Sequence, residues 1–468
     1  RATRYDIRGL PGVAREEDWD EGIVVDSTKC SGVPGAAESL RVSGIDGMWS
    51  FFLKTADERL NWSSVSNVAC DSLVDSCPPA AVTEFAVPLT TMFSARVTWI
   101  ASGDDGTEGA ASAYDVRYAT EPVTDQTWDN AVRVTGLPLP LPAGSLESHM
   151  VTGLAQDTEY FFALTSIDNQ GHVSPRSIVA RATTASWRRF TFSPPGVPGD
   201  YRGVWDADWS PDGSALVASA QWGESAHQGD LYVLPLNGDP IIRLTREQFF
   251  ARNPSWSPDG QRIAFICSGS TWTDTLLTVD AHSGGDRRRI ALSGESEGLW
   301  ACSWSPDGRR IAYNIFWHAG HPDEPLTGRL GLIDLQSGES DTLLWYQGMT
   351  RPAWSPDGSH LLLSIWGGGQ QSDIVSVAAD GSGWAPVLMG WSSDGHPEWS
   401  PDGQRVAFSS DRSGSDEIWS MSPTGEDLVQ LTSPPGEKGL PYWSPDGKTI
   451  AVVCAQDYTL DIWLLSWN

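Results

Sequence analysis

The C-terminal part of the chain alternates short apolar runs with turn-forming residues. The runs RIAFI, RIAYNI, HLLLSI, RVAFSS and TIAVVC each follow a Trp-Ser-Pro-Asp-Gly sequence. Short runs rich in β-branched and aromatic residues, bounded by turn formers, are typical of β-strands. In Ser-Pro-Asp-Gly, proline sets φ at the first central turn position and glycine accepts a positive φ. Each run is therefore predicted to pair antiparallel with the strand before its turn.

The Trp-Ser-Pro-Asp-Gly turn recurs at nearly regular intervals of 44 to 50 residues. The six copies begin at Trp209, Trp256, Trp304, Trp354, Trp399 and Trp443. A third apolar run, such as DLYVLPL, and a fourth, such as PIIRLTR, complete each of the first five repeats. Four strands in a repeat of about 40–50 residues are the signature of a β-propeller blade. The spacing predicts an all-β chain with a six-bladed propeller over residues 186–468.

The sixth repeat lacks a fourth strand of its own. After Trp443 the chain supplies two further runs, the second being YTLDIWLLSW, and then ends. Upstream of the first repeat, SWRRFTFS at 186–193 is similar to PIIRLTR. We expect residues 186–193 to complete the sixth blade, because closing the ring removes strand edges that would otherwise stay exposed.

A second repeat lies in the first 185 residues. The segment YDIRGLPGVAREEDWDEGIVV recurs 109 residues later as YDVRYATEPVTDQTWDNAVRV. The later copy, residues 78–185, alternates strands with Gly and Asp turns and predicts a seven-stranded sandwich. The earlier copy, residues 1–70, begins at the third strand, and residues 71–77 form a linker. We expect its first strands and a signal peptide to precede Arg1, and the partial domain to be the least stable part.

Residues 78–185 resemble a fibronectin type III domain. The strand RVTW places Trp99 where that family keeps its core tryptophan, and GLAQDTEYFFAL places Leu154 and Tyr160 at the family's tyrosine corner. The earlier copy departs from the pattern, since Trp49 replaces the corner tyrosine. The resemblance implies that the sandwiches act as spacers.

The six repeats resemble the TolB-type propeller family. The segment PEWSPDGQRVAFSSDRSGSDEIWSMSPTGEDLVQLT, residues 397–432, is close to that family's consensus throughout. Propellers of the family occur in secreted and periplasmic binding proteins and as non-catalytic domains of some peptidases. The resemblance therefore implies an interaction scaffold in an extracellular or periplasmic location, and it names no ligand.

The 468 residues carry a formal net charge of −29. Such acidity makes nucleic acid and anionic membrane surfaces poor partners, and no apolar run is long enough to span a membrane. Six cysteines do not make a disulfide framework in a chain of this length. Cys267 and Cys454 fall on predicted strands and are expected to be buried thiols, whereas Cys70 and Cys77 could close a short loop.

Tryptophan, histidine and basic residues cluster at one predicted face of the propeller. The loops between second and third strands share this face with the segments that enter the innermost strands. We interpret it as a binding mouth, because tryptophan and arginine are enriched among binding hot spots. The alternative is that these tryptophans only pack between blades. The predicted rim residues are Trp222, His227, Arg252, Asn253, Trp272, Trp300, Trp317, His318, His321, Arg351, Trp366, His396, Arg412 and Lys438.

Two further motifs suggest metals only weakly. His318 and His321 have a spacing that can bring two imidazoles to one ion, but no third ligand is defined, so we interpret the segment as an exposed polar loop. GDDGTEG, residues 103–109, has the composition of a calcium loop without its ligand spacing. No cofactor is predicted. Sequence signatures of zinc peptidases and phosphate loops are absent.

These observations favour a non-catalytic binding or scaffold protein whose propeller mouth recognises a protein, a peptide, a glycan or a small polar ligand. The alternative is a propeller hydrolase or lyase that uses rim histidines, carboxylates or a metal ion. A surface protein without a specific ligand is a third interpretation, and the sequence does not separate it from the first.

Overall fold

The computed structural model describes most of the chain as β-strands. The described residues are 4–11, 23–26, 47–56, 69–73, 78–104, 106–107, 109–191, 202–222, 229–246, 250–268, 274–293, 297–317, 328–346, 350–366, 371–433, 436–456 and 459–467. Within these ranges the only helix is a short 3₁₀ turn, Trp128–Asn130. The described residues therefore contain no helix with the length and apolar character needed to cross a membrane. The all-β prediction is confirmed.

Two compact units make up the chain. The first unit comprises Arg1–Leu89, Ala95–Thr152 and Glu159–Ala182. The second unit comprises Thr90–Ser94, Gly153–Thr158 and Thr183–Asn468.

The strands that precede residue 78 form one antiparallel sheet of order β2-β1-β3-β4. They are β1 (Arg4–Pro11), β2 (Ile23–Asp26), β3 (Gly47–Ala56) and β4 (Ala69–Leu73). The strands between residues 86 and 183 are β5 (Ala86–Thr90), β6 (Ser94–Ile100), β7 (Ala113–Ala119), β8 (Val132–Arg133), β9 (Leu146–Thr152), β10 (Glu159–Ile167) and β11 (Ala180–Thr183). Three of these form a sheet of order β5-β6-β9, and four form a sheet of order β8-β7-β10-β11.

The two copies of the N-terminal repeat share the same sheet order and register. Tyr5 on β1 lies opposite Thr55 on β3, and the corresponding Tyr114 on β7 lies opposite Ser166 on β10. The pairing therefore reproduces the repeat that the sequence shows. In the later copy Trp99 is fully buried, with its ring 5.1 Å from that of Tyr114. The assignment to fibronectin type III stays a prediction.

The strands after residue 202 follow one another in antiparallel sets. The first set is β13 (Arg202–Trp209), β14 (Ala215–Ala220), β15 (Asp230–Pro235) and β16 (Ile242–Arg243). The second is β17 (Ala251–Trp256), β18 (Arg262–Ser268), β19 (Asp274–Asp280) and β20 (Arg288–Leu292). The third is β21 (Glu297–Trp304), β22 (Arg310–Trp317), β23 (Gly328–Asp334) and β24 (Ser340–Tyr346).

The later sets have the same order of pairing. The fourth set is β25 (Ala353–Trp354), β26 (His360–Trp366), β27 (Ser372–Ala378) and β28 (Trp384–Leu388). The fifth is β29 (Asp394–Trp399), β30 (Val406–Ser410), β31 (Glu417–Met421) and β32 (Val429–Gln430). The last set contains β33 (Glu437–Trp443), β34 (Thr449–Gln456) and β35 (Thr459–Ser466). To these it adds β12 (Trp187–Arg189), which pairs antiparallel with β35.

Each Ser-Pro-Asp-Gly turn is held by its own side chains. In the second set, Ser257 Oγ donates to Asp259 Oδ1 at 2.6 Å, and Gly260 N donates to Ser257 O at 2.9 Å. Gly260 has φ of +71°, which only glycine adopts without strain. The bond from Ser257 lowers the pKa of the Asp259 carboxyl. The serine-to-aspartate bond is present in all six turns, at 2.5 to 2.7 Å.

The same turns show which sets are neighbours. A Cβ placed on Gly260 would lie 4.0 Å from Cδ of Pro211 in the preceding turn. Equivalent approaches of 3.8 to 3.9 Å link each later turn to the one before it. Gly213, in the first turn, makes the corresponding approach to Pro445 in the last turn, at 3.8 Å. The first set is therefore adjacent to the last.

The fourth strand of the last set is held through a buried carboxylate. Asp461 on β35 is almost fully buried, and it accepts hydrogen bonds from Arg189 and from Thr191 Oγ1, the latter at 2.8 Å. The same contacts join the counterparts in the first set, which are Arg243, Thr245 and Asp230. The similarity between SWRRFTFS and PIIRLTR thus reflects a shared set of contacts.

The prediction of buried thiols is confirmed for one of the two cysteines. Cys454 is a buried free thiol, as predicted, whereas Cys267 is free but half-buried. Cys302 is a third free thiol, on β21, and it is fully buried. The side chains of Cys70 and Cys77 lie outside the described residues.

Replacing Arg189 and Thr191 together by alanine should destabilise the second unit. The buried Asp461 carboxylate would lose two donors, which costs roughly 3 kcal/mol of unfolding free energy. Arg188→Ala is the matched control, because Arg188 is exposed beside them on the same strand. Urea unfolding followed by circular dichroism measures both variants. Equal stability of the double variant and the control would contradict the role given to this contact.

Candidate functional site

The first strands of the sets contact one another and bring distant parts of the sequence together. Trp256 N donates to Asp208 Oδ2 at 2.7 Å, which joins the second set to the first. The indole N–H of Trp209 donates to the carbonyl oxygen of Tyr442 at 3.0 Å, which joins the first set to the last. Polar side chains on these first strands therefore lie close together.

A buried arginine reaches between sets that are not neighbours in sequence. Arg351, which precedes β25 of the fourth set, lies 3.0 Å from Asp208 Oδ1 and donates to the carbonyl oxygen of Ala207 at 3.0 Å, both in the first set. Its guanidinium carbon lies 5.3 Å from the ring centre of Tyr442 in the last set. The Tyr442 hydroxyl donates in turn to Asp206. We call Asp206, Asp208, Arg351, Glu398 and Tyr442 the central cluster.

Burial weakens two of the acids of the central cluster. It raises the pKa of Asp206 to about 6 and that of Glu398 to about 7, although the positive charge of Arg351 opposes both shifts. Burial and the adjacent Asp206 raise the pKa of Tyr442 well above its ordinary value. The cluster therefore holds one permanent positive charge among carboxyl groups, two of which titrate near neutral pH.

A cavity of about 490 Å³ lies beside the first strands of the first, fifth and last sets. Two tryptophans stand on its wall and keep much of their surface exposed, 43% for Trp205 and 59% for Trp366. We call this space the mouth cavity and define it by Trp205, Trp366, His396, Asp416, Glu437 and Lys438. Large indoles in contact with an open space of this size are available to a ligand.

The lysine of the mouth cavity is already paired. Lys438 is fully buried, with Nζ 3.2 Å from the Glu417 carboxylate and 2.8 Å from the carbonyl oxygen of Gly436. In the fifth set Gln430 occupies the place that Arg243 has in the first set. Lys438, from the next set, supplies the positive charge that Glu417 needs. The pair of Lys438 and Glu417 thus replaces the contact that Arg243 makes with Asp230 in the first set.

The histidine of the mouth cavity is uncharged at neutral pH. Burial lowers the pKa of His396 to about 4, and its Nδ1 lies 3.3 Å from Ser409 Oγ. His396 has φ of +51°, and Asn253 and Leu440 have φ of +50° and +48°. Each of these residues precedes a proline, three positions before a turn tryptophan, where the register of the first strand shifts. A recurrent bulge therefore sets the direction of these side chains.

Three of the predicted rim residues meet at the mouth cavity, namely Trp366, His396 and Lys438. Three others join the second set to the third. Arg252 forms an ion pair with Asp274 at 3.0 Å and lies 5.2 Å from the ring centre of Trp300. Asn253 Nδ2 donates to the carbonyl oxygen of Trp300 at 2.7 Å. These contacts between sheets correspond to the alternative of packing between blades.

The remaining predicted rim residues are dispersed. Arg351 belongs to the central cluster. Arg412 pairs with Asp394 at 2.7 Å within the fifth set, and the ring of Trp222 packs 4.8 Å from that of Tyr232. The side chain of Trp317 lies outside the described residues, as do His227, Trp272, His318 and His321. Among the side chains that are described, no three His, Cys, Asp or Glu residues are placed to hold a metal ion.

Trp205 and most of the central cluster are not among the residues predicted from the sequence. The signal that could have found the cluster is the alternation of side chains backwards from each turn tryptophan. Positions one and three residues before that tryptophan share a strand face, and they hold Asp208 and Asp206 in the first set. The same two positions hold Glu398 and His396 in the fifth set.

The comparisons with known proteins agree with a TolB-like propeller. Residues 281–467 match the family model of the TolB beta propeller domain. Similar solved structures include a putative TolB from Agrobacterium tumefaciens, 23% identical over 57% of this chain and 91% of that chain, with a TM-score of 0.43. An oligogalacturonate lyase from Vibrio parahaemolyticus is 14% identical over 60% and 97%, with a TM-score of 0.42. A gluconolactonase from Xanthomonas campestris is 12% identical over 61% and 95%, with a TM-score of 0.44.

Two of these three structures are named as enzymes and one is not, so the similarity does not decide the function of this chain. The family match indicates a TolB-like propeller fold for residues 281–467.

Replacing Arg351 by methionine should destabilise the chain more at high pH than at low pH. The folded-state pKa values of Asp206 and Glu398 lie above their unfolded values, so ionising these groups opposes folding as the pH rises. Without the guanidinium the pKa values rise further. The loss of stability should reach a few kcal/mol at about pH 8 and be smaller at about pH 5, where Asp206 and Glu398 are largely protonated in the folded chain.

Urea unfolding at the two pH values measures the difference. Arg309→Met is the control, because Arg309 is exposed one residue before β22. A loss for the Arg351 variant that is the same at both pH values would contradict the charge assignment of the central cluster.

Proposed function

We propose that this chain is a non-catalytic binding protein whose mouth cavity recognises a segment of a protein or peptide partner. The observation that carries the proposal is the pair of exposed tryptophans, Trp205 and Trp366, on the wall of a cavity of about 490 Å³. Tryptophan provides a large contact area with little conformational entropy to lose, and binding energy concentrates on such residues.

We propose that the repeats form a six-bladed ring in which residues 186–193 close the sixth blade. The approach of Gly213 to Pro445 supports a ring, since it places the first turn beside the last. The pairing of Trp187 with Leu465 supports the closing strand. A closed ring would fix the distances between mouth residues that come from four different sets, so the cavity would be ready before the ligand arrives.

The rest of the chain is assigned a supporting role in this proposal. We propose that residues 78–185 are a fibronectin type III spacer, that residues 1–70 are part of a second one, and that the protein acts outside the cytoplasm. The net charge of −29 favours partners other than nucleic acid and anionic membranes. The alternative is a propeller hydrolase or lyase, which the substrate assay below distinguishes from a binding protein.

Replacing Trp366 by alanine should weaken the capture of peptides at the mouth. Peptides selected from a random display library on the intact protein would be labelled and titrated by fluorescence anisotropy. We expect a loss of about 2 kcal/mol, which is roughly thirtyfold in Kd. Trp384→Ala is the matched control, because Trp384 is also exposed and lies on β28, the outermost strand of the same set.

Equal affinity of the Trp366 and Trp384 variants for every selected peptide would contradict the proposed site. Turnover of a glycan or peptide substrate by the intact protein, lost in a mouth-cavity variant, would favour the enzyme alternative.

A further inference from the structure

We propose that the mouth cavity accepts a cationic side chain, lysine or arginine, of the bound segment. This inference rests on the proposed binding function and adds the chemical class of the anchoring residue. It follows from the charges on the cavity wall: the basic groups are paired or neutral, whereas two carboxyl groups are not balanced by a cation among the described residues.

The positive groups of the mouth cavity are not available to a ligand. Lys438 is buried and its ammonium group is paired with Glu417 at 3.2 Å. His396 is neutral at physiological pH, because burial lowers its pKa to about 4. An anionic ligand would therefore find no unpaired cation among these residues, and it would also meet the repulsion of the carboxylates beside them.

The negative groups of the mouth cavity reinforce one another. Asp416 and Glu437 both line the cavity. The pKa of Asp416 is raised by burial and by the negative charges of Glu437, Asp411 and Glu417. Since Glu417 is balanced by Lys438, the carboxylates that remain give the cavity a negative potential. A positive charge placed there would relieve this repulsion.

The two tryptophans also favour a cationic ligand. Trp205 and Trp366 present indole surface to the cavity, and the face of an indole attracts an ammonium or guanidinium group. Aromatic walls beside carboxylates therefore suit a cation with an aliphatic stem, because the stem packs on the rings while the charge faces the acids. Lysine and arginine are the side chains with both features.

The test uses labelled ten-residue peptides, selected on the intact protein, in three versions. One carries lysine at the position whose replacement by alanine weakens binding most, one carries norleucine there, and one carries glutamate. We expect the lysine version to bind about tenfold more tightly than norleucine and more tightly still than glutamate at low salt. The advantage over norleucine should shrink as salt is added.

Replacing Asp416 by asparagine together with Glu437 by glutamine should remove that advantage and leave the norleucine peptide unaffected. The control is Glu339→Gln with Asp341→Asn, which removes the same charge from exposed positions at the start of β24. Circular dichroism melts check that each variant is folded. If the Asp416 and Glu437 variant does not fold, the salt dependence of the lysine and norleucine peptides in the intact protein decides the question.

The two proposals fail in different ways. If peptides bind and depend on Trp366 but lysine, norleucine and glutamate versions bind equally, the binding function stands and the cationic anchor is wrong. If the lysine advantage survives in the Asp416 and Glu437 variant, the cation lies elsewhere and the assignment is also wrong. If no selected peptide depends on Trp366, the proposed function itself fails.

Discussion

The contact between Asp461 and residues Arg189 and Thr191 is the constraint on which the second unit depends. It joins chain segments about 270 residues apart in sequence and adds a fourth strand beside β35. On that side β13 pairs with β35 in parallel at Thr459 and Leu460, and the part of β35 from Trp463 to Leu465 would otherwise be an open edge. An unpaired edge of this kind invites aggregation and loosens the sheet. Because the carboxylate is buried, removing its donors is strongly unfavourable, since it would leave an uncompensated charge.

Adjacency of the first and last sets has consequences for the mouth. The wall of the mouth cavity is shared among sets that are joined by the bond from Trp209 to the Tyr442 backbone and by the contact of Arg351 with Asp208. The central cluster is costly, since burial raises the pKa of Asp206 and that of Glu398 towards neutral pH. The Arg351 guanidinium offsets that cost only when the sets are assembled around it. The arrangement of the residues at the mouth cavity therefore depends on the second unit being folded.

The sequence predicted the turns and strands well, because they depend on local chemistry. Ser-Pro-Asp-Gly forms its own hydrogen bonds, and the spacing of the turns sets the repeat. Side-chain roles at the rim were harder to predict, because they depend on neighbouring sheets. Trp205 and Trp300 both stand four residues before a turn tryptophan, yet Trp205 lines the cavity while Trp300 lies against Arg252. The bulge at His396 likewise changes side-chain direction in a way that alternation alone does not predict.

Hydrogen exchange at the closing strand tests most directly whether residues 186–193 close the last set. Phe190 N donates to the Ile462 carbonyl at 2.8 Å, and Ile462 N donates to Thr191 Oγ1 at 2.9 Å. The account predicts that these two amides exchange only when the second unit unfolds, at the same rate as Val217 in the middle of β14. Exchange of Phe190 and Ile462 that is orders of magnitude faster than that of Val217 would show that the strand opens independently, and it would contradict the closure.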